Sequence, residues 1–225
     1  FLQLCHKAKS GLPPQYLIHS APFLDIDLYV DRRVVIPRPE TEELVLRAAA
    51  RCTAARLVMD YGTGSGCIAI SLARRFPAAR VIAVDCSAPA LQVARRNAQK
   101  YRLCHRISFV KAKLLIAPVL SRLRGRLDLL VANPPYVPTT RLNRLQTKTC
   151  LFEPRVGLDG GHNGATIVSM LLRYGPEFLR PGGLLALEID HLHGPLVRQL
   201  LPMAEIENDL AGHIRYVFFR RPMTS

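Results

Sequence analysis

The sequence Asp60-Tyr61-Gly62-Thr63-Gly64-Ser65-Gly66 lies between a short apolar run, Leu57-Val58-Met59, and an apolar helical pattern from Cys67 to Phe76. Three glycines at alternate positions allow a tight turn from strand to helix and let the backbone approach a ligand closely. Glycine also serves packing in such turns, so the pattern alone is weak evidence for a site. It predicts the first strand, turn and helix of an α/β fold.

Strand and helix patterns alternate after this turn. The alternation predicts a parallel sheet with helices on both of its faces. A turn at Pro181-Gly182-Gly183 is expected to precede the strand at 184–189. The other predicted strands are 81–84, 107–110, 127–131 and 214–219, and the other predicted helices are 89–100, 164–178 and 195–201.

The second strand ends at Asp85, about twenty residues after the glycines, where an acid can accept hydrogen bonds from both hydroxyls of a ribose. This position favours a cofactor that contains a nucleoside. A dinucleotide normally needs the spacing G-x-G-x-x-G, whereas this turn reads G-T-G-S-G and follows Asp60. The spacing suits S-adenosylmethionine, since a nearby acid and turn amides can hold its ammonium and carboxylate.

Asn133-Pro134-Pro135-Tyr136 follows the fourth strand, where ligands of open α/β sheets bind. The prolines remove N–H donors and stiffen the loop, so the Asn133 oxygen and a main-chain carbonyl can both accept from one amino group. Such a site suits an amide or an exocyclic amine, with Tyr136 as a flat wall. The alternative interpretation is a proline-rich turn with an asparagine cap.

The residues before the glycine turn have a mixed pattern. Alternation from Phe23 to Val30 predicts an exposed hairpin that acts as a connector. Thr41 is expected to cap a helix that runs to about Cys52. The chain begins with Phe1 in place of methionine, and we therefore expect a fragment or processed form of a longer protein.

The 225 residues include 31 Lys and Arg against 17 Asp and Glu, a net charge of +14 that favours a polyanionic partner such as RNA. The alternative is a solvated basic surface. No apolar run is long enough to cross a membrane. The six cysteines lie far apart without metal-ligand spacing, so we expect free thiols, no metal, and a reducing compartment, either the cytoplasm or the mitochondrial matrix.

Five segments of the chain form a pattern that is more specific than any one of them. They are Ile36-Pro37-Arg38-Pro39-Glu40-Thr41-Glu42, Asp60 to Gly66, Ala132 to Tyr136, Glu153-Pro154, and Gly160-Gly161 with Gly164. Together they resemble the HemK/PrmC family, the N5-glutamine methyltransferases that modify the Gly-Gly-Gln motif of peptide-chain release factors. The N-P-P-Y turn also marks adenine-N6 methyltransferases, which usually lack the first of these segments and the glycine-rich segment after Glu153.

The resemblance implies a class I S-adenosylmethionine-dependent methyltransferase fold, which is Rossmann-like with a seven-stranded, mostly parallel sheet and a small N-terminal β-hairpin. Residues 34–225 would form this domain, and residues 1–33 would be the remnant of an N-terminal domain with a hairpin linker. The implied partner is a release factor, with proximity to the ribosome or RNA suggested by the basic charge. The implied catalytic residues are Asn133, Pro134, Pro135 and Tyr136, and the cofactor-binding residues are Asp60, Gly62, Thr63, Gly64, Ser65, Gly66, Asp85, Leu114 and Asn133.

Two positions depart from the family pattern. Lys113 stands where the family usually has an acid near the adenine, and Asp190 stands where it usually has a glycine. Two alternatives to glutamine methylation therefore stay open at this point. One is an adenine-N6 nucleic-acid methyltransferase, which the positive charge favours and which would flip or unstack its base. The other is a catalytically weakened binding protein of the same fold.

Overall fold

A computed structural model describes residues 11–144 and 152–223. Seven strands form one sheet in the order β5-β4-β3-β6-β7-β9-β8, in which β3 to β7 are parallel and β9 is antiparallel to both of its neighbours. The strands are β1 Ala21–Phe23, β2 Ile26–Leu28, β3 Leu57–Tyr61, β4 Arg80–Asp85, β5 Ile107–Lys111, β6 Leu127–Ala132, β7 Leu179–Glu188, β8 Glu205–Asn208 and β9 Ile214–Arg220. The predicted mostly parallel sheet is confirmed.

Helices cover both faces of this sheet. The α-helices are α1 Pro14–Ile18, α2 Pro39–Arg51, α3 Cys67–Arg75, α4 Ala88–Lys100, α5 Thr139–Arg144, α6 Thr166–Phe178 and α7 Gly194–Leu200. Short 3₁₀ helices lie at Pro118–Leu123, Arg155–Gly157 and His191–His193.

Successive residues of the central strand β3 supply the cores on opposite faces of the sheet, as the period of two requires. Val58 packs in the core that contains α2 and α3, whereas Met59 packs in the core that contains α6. Both side chains are fully buried. The sheet therefore holds the ends of β3, β4 and β6 on a rigid frame.

The N-terminal hairpin of β1 and β2 was expected to be exposed, and the structure corrects this. Phe23 and Leu28 are 0% exposed and pack against the main core, while Pro22 and Asp27 face outward. Apolar and polar residues do alternate along the hairpin, but the apolar face packs against the domain and is not exposed. The main-chain N–H of Tyr29 donates to Asn97 Oδ1 on α4 at 2.8 Å, which ties the end of the hairpin to that helix.

The predicted cap at Thr41 is also wrong. Helix α2 begins at Pro39, whose fixed φ suits the first helical position, and Arg38 is the N-cap residue without a side-chain cap bond. Thr41 therefore lies inside the first turn. Its hydroxyl donates to Glu188 Oε2 on β7 at 2.7 Å.

The predicted turn at Pro181-Gly182-Gly183 is an irregularity inside β7. Leu127 pairs with Leu179, but Leu129 pairs with Leu184, so the residues between Leu179 and Leu184 bulge out of the register. Gly182 has a φ of +74°, which favours glycine.

Among the described residues, Cys52, Cys67, Cys86 and Cys104 are free thiols, as predicted. Cys5 and Cys150 lie outside the described residues. None of the described helices is long and apolar enough to cross a membrane.

Candidate active site

A cavity of about 420 Å³ opens at the carboxyl ends of β3, β4 and β6, within the usual size range of small-molecule sites. The chain passes from β3 to β4 on one side and returns to β6 on the other, so the cavity lies at the point where the strand order reverses. The predicted site residues that line it are Gly62, Thr63, Gly64, Ser65, Asp85, Asn133, Pro134, Pro135 and Tyr136.

The glycine turn forms one wall of the cavity. The main-chain N–H groups of Gly62 and Thr63 both donate to the Val84 carbonyl, at 2.8 and 2.9 Å, so the turn is fixed to β4. Gly62 has a φ of +78°, and a Cβ there would lie 3.7 Å from the Asn133 carbonyl oxygen. Glycine at this position therefore supplies a left-handed conformation that other residues rarely adopt.

Asp85 closes the end of β4 and orders the same turn. Its Oδ2 accepts from the Gly64 N–H at 2.9 Å, and its Oδ1 accepts from the Ser87 N–H at 2.8 Å. Burial raises the pKa of the carboxyl, while the hydrogen bonds from the two amides oppose that rise. Each carboxylate oxygen retains a lone pair for a further donor at the cavity, such as a ribose hydroxyl.

Three predicted cofactor-binding residues, Asp60, Gly66 and Leu114, do not line the cavity. Asp60 is fully buried behind the turn, where its Oδ2 accepts from Thr63 Oγ1 at 2.6 Å and from the Ala69 N–H at 3.0 Å. Burial raises the pKa of this carboxyl to about 7. Its contacts make Asp60 a brace between the turn and α3, and its direct contact with a cofactor stays a prediction.

Gly66 and Leu114 lie outside the cavity lining for different reasons. A Cβ on Gly66 would lie 3.2 Å from the Ala94 Cβ, so this glycine permits the close approach of α4. Leu114 is 44% exposed, and Lys113 lines the cavity in its place. The Lys113 carbonyl accepts from Tyr61 Oη at 2.7 Å, which fixes this segment against β3.

The N-P-P-Y turn forms the opposite wall. Asn133 Nδ2 donates to Thr41 Oγ1 at 2.8 Å, and Asn133 Oδ1 makes no hydrogen bond within the described residues. Tyr136 Oη donates to Glu188 Oε1 at 3.0 Å. Burial raises the pKa of the Glu188 carboxyl to about 7, although the hydroxyls of Thr41 and Tyr136 oppose the rise.

Arg38 and Glu153 are two residues of the site that the sequence did not predict. Glu153 is buried, and its two oxygens accept from the Ile36 N–H at 3.0 Å and from Arg38 Nη2 at 2.7 Å. Both segments line the cavity. Each segment belongs to the family pattern in the sequence, but the sequence did not show that the two segments pair with each other in the fold.

The comparisons with known proteins agree with this architecture. A family model described as "Methyltransferase small domain" matches residues 41–153. A methyltransferase structure from Pyrococcus furiosus aligns with a TM-score of 0.64 at 16% identity, over 89% of this chain and 91% of that one. At this identity the likeness supports the fold.

Two curated relatives are much more similar in sequence. The release factor glutamine methyltransferase of Thermosynechococcus vestitus is 41% identical over 220 residues, which cover 94% of this chain and 75% of that protein. The protein of the same name from Chlorobaculum tepidum is 42% identical over 208 residues, which cover 89% of this chain and 70% of that protein. With this identity and coverage, and with the glycine turn and the N-P-P-Y turn facing one cavity, the chain belongs to the release factor glutamine methyltransferase family.

Proposed function

We propose that this chain transfers a methyl group from S-adenosylmethionine to the side-chain amide nitrogen, N5, of the glutamine in the Gly-Gly-Gln motif of a peptide-chain release factor. The observation that carries the proposal is the orientation of Asn133. Its Nδ2 is engaged by Thr41, and its Oδ1 remains available as an acceptor at the cavity. An acceptor at this place suits a substrate with N–H donors.

The cavity also fits the cofactor. Asp85 offers carboxylate lone pairs suited to a diol, and Gly62 and Gly64 let the backbone approach a bound group closely. Lys113 and Tyr61 line the same cavity and would border the adenine. When bound, the cofactor supplies an electrophilic methyl group on a sulfonium.

The residues of the turn would bind and orient the glutamine side chain. An amide nitrogen is a poor nucleophile, because its lone pair is delocalised into the carbonyl. Asn133 Oδ1 and the main-chain carbonyl of Pro134 would each accept one N–H of the amide and so aim its nitrogen. These acceptors would gain strength as positive charge develops on that nitrogen. The Tyr136 ring would form a wall beside the planar group.

The rival function is methylation of adenine N6, which the same turn could serve. The brace between Glu153 and the segment of Ile36 and Arg38 favours the glutamine substrate, since both segments belong to the family pattern. The test incubates the enzyme and labelled cofactor with a Gly-Gly-Gln peptide, a Gly-Gly-Glu peptide and an adenine oligonucleotide. We expect label on the first alone, and label on the oligonucleotide alone would overturn the proposal.

We also propose that this protein works close to RNA, as an enzyme acting on a translation factor would near the ribosome. Residues 67–127 contain thirteen Lys and Arg but one acid, Asp85, which lines the cavity. Twelve of the thirteen are exposed. Arg75 and Arg102 make no ion pair within the described residues, and we call the exposed surface of residues 67–127 the basic face.

A double charge reversal tests the basic face. Arg75→Glu with Arg102→Glu should weaken binding to a structured RNA hairpin and lower the slope of log K against log salt by about 2, since each phosphate contact contributes about 0.9. The matched control is Arg173→Glu with Arg198→Glu, which makes the same charge change on α6 and α7. Equal effects of both pairs would show that net charge alone acts, and the proposal would be wrong.

Lys113→Asp is expected to tighten cofactor binding by about fivefold or more. An ammonium has donors only, whereas an aspartate could accept from the adenine amino group, and a regained hydrogen bond is worth about 1 kcal/mol. Calorimetric titration with S-adenosylmethionine measures the change. Lys111→Asp, two residues earlier at the end of β5, is the control for net charge. Unchanged or weaker affinity in Lys113→Asp would show that residue 113 does not meet the adenine.

We propose that residues 1–33 are the end of an N-terminal domain with its hairpin linker, and that the methyltransferase domain comprises residues 34–225. The four free thiols among the described residues support a reducing compartment, either the cytoplasm or the mitochondrial matrix.

A further inference from the structure

A chain of hydrogen bonds runs from the N-P-P-Y turn into the buried end of β7. Asn133 Nδ2 donates to Thr41 Oγ1 at 2.8 Å, and the Thr41 hydroxyl donates to Glu188 Oε2 at 2.7 Å. The other carboxylate oxygen, Glu188 Oε1, accepts from Tyr136 Oη at 3.0 Å. Glu188 is 1% exposed and Thr41 is 2% exposed. One buried carboxylate thus bonds Tyr136 directly and is linked to Asn133 through the Thr41 hydroxyl.

The chemistry of these groups fixes which group donates in each hydrogen bond of this series. An ionised carboxylate only accepts hydrogen bonds, so the single hydroxyl hydrogen of Thr41 must point at Glu188. The Thr41 oxygen can then only accept from Asn133, and the Asn133 side chain must present its NH₂ group to it. As a consequence, Asn133 Oδ1 is left on the side of the cavity.

We propose that Glu188 and Thr41 are positioning residues that fix the orientation of the Asn133 side-chain amide, so that Oδ1 and not Nδ2 meets the substrate. The proposal rests on the proposed function in one respect, that the substrate presents N–H donors to Asn133. Without these hydrogen bonds, the Asn133 amide could rotate by 180°. Its Nδ2 group, a donor, would then face the N–H donors of the substrate. The flipped form would bind the substrate badly and would not stabilise charge on its nitrogen.

The position of Thr41 supports a role beyond helix formation. Threonine in the first turn of α2 does not cap the helix, and a β-branched residue gives no advantage in helix propensity there. A buried hydroxyl without a partner would be costly. The partners that it has are the carboxylate and the asparagine of the site, which lie 147 and 92 residues away in the sequence.

The first test compares Thr41→Val with Thr41→Ser. Valine keeps the shape of threonine without the hydroxyl, and serine keeps the hydroxyl without the methyl group. We expect Thr41→Val to lower kcat on the Gly-Gly-Gln peptide at least tenfold, while the dissociation constant of S-adenosylmethionine changes less than threefold. Thr41→Ser should retain kcat within about threefold of the wild type, because it rebuilds both hydrogen bonds.

The outcomes separate this inference from the proposed function. A wild-type enzyme that does not label the peptide would refute the function. Wild-type activity together with normal kcat in Thr41→Val would refute the positioning role. Equal losses in the valine and serine variants would also refute it, since packing would then be the common cause. Circular dichroism and thermal unfolding establish that each variant is folded.

A pH profile gives a second readout that packing alone would not move. A protonated Glu188 carries an O–H donor. At least one of the hydrogen bonds that the carboxylate accepts must then reverse its direction. We therefore expect wild-type kcat to rise with pH through about 7, where this carboxyl titrates. The charged and titratable groups that act on Glu188 from the surrounding elements are Glu40, Cys67, Tyr136, Arg215 and Tyr216.

Glu188→Gln removes that titration and should flatten the rise in kcat through pH 7. The cofactor dissociation constant should keep its wild-type dependence on pH. A rise of the same size in Glu188→Gln would place the titrating group elsewhere and contradict the assignment. If Glu188→Gln does not fold, the comparison of Thr41→Val with Thr41→Ser still decides the proposal.

Discussion

Asn133→Ala is expected to lower kcat on the Gly-Gly-Gln peptide by roughly 10² to 10³, the usual loss when one preorganised hydrogen-bonding group is removed from a transition state. The structure gives the reason, since Asn133 Oδ1 is available at the cavity while Nδ2 is held by Thr41. The affinity for S-adenosylmethionine should barely change, because the glycine turn and Asp85 remain intact. Steady-state kinetics with calorimetry measures both quantities.

Asn208→Ala provides the matched control for this variant. Asn208 lies on β8, the edge strand at the far side of β7 and β9, and does not line the cavity. The same truncation there should leave kcat within about twofold of the wild type, as expected for a surface change. Near-normal turnover by Asn133→Ala would remove Asn133 from the transition state.

Asp85→Ala should weaken cofactor binding by about ten- to more than a hundredfold. Hydrogen bonds to a charged group are worth roughly 1.5–3 kcal/mol each, and the variant loses those that a ribose diol would donate. It also frees the N–H groups of Gly64 and Ser87, which Asp85 orders. Asp85→Asn keeps one strong acceptor and should show a smaller loss.

Asp25→Ala is the control for Asp85→Ala. Asp25 lies between the two strands of the hairpin, where its carboxylate pairs with Arg74 on the protein surface. An exposed ion pair of this kind contributes about 0–1 kcal/mol, so cofactor affinity should not change. An unchanged dissociation constant for Asp85→Ala in calorimetry would mean that Asp85 does not contact the cofactor.

The parts of the fold that the sequence predicted are local. Strands β3, β4 and β6 are short apolar runs buried on both faces, and such runs are the signal of a parallel sheet. Strand β8 was missed because Glu205-Ile206-Glu207-Asn208 is a partly exposed edge strand with a single apolar residue. Short polar edge strands give a weak pattern, since one side of them meets water.

The candidate site also has a part that local sequence patterns predict and a part that they do not. The residues from Gly62 to Ser65, Asp85 and the N-P-P-Y turn each follow a strand, so their position at one edge of the sheet follows from the parallel topology. The assignment of Asp60 and Leu114 to the cofactor rests on their neighbours in sequence and stays a prediction. The alternation of strand β3 directs Asp60 toward α3, where it contacts Thr63 and the Ala69 N–H.

The contacts that the sequence did not predict join distant segments. Ile36 and Glu153 are 117 residues apart, and Thr41 and Glu188 are 147 residues apart. The first pair depends on the packing of residues 152–154 against the segment before α2, and the second depends on the packing of α2 against β7. No periodicity within a short window carries that information, so these contacts appear only in the folded chain.

The most direct test of the account is the position of the transferred methyl group. A release factor carrying the Gly-Gly-Gln motif is incubated with this protein and labelled S-adenosylmethionine, digested, and sequenced by tandem mass spectrometry. We expect one methyl group on the side-chain amide nitrogen of the motif glutamine, and a rate of labelling lowered roughly 10²- to 10³-fold when the enzyme carries Asn133→Ala. An unmodified glutamine, or a methyl group on another residue of the release factor, would contradict it.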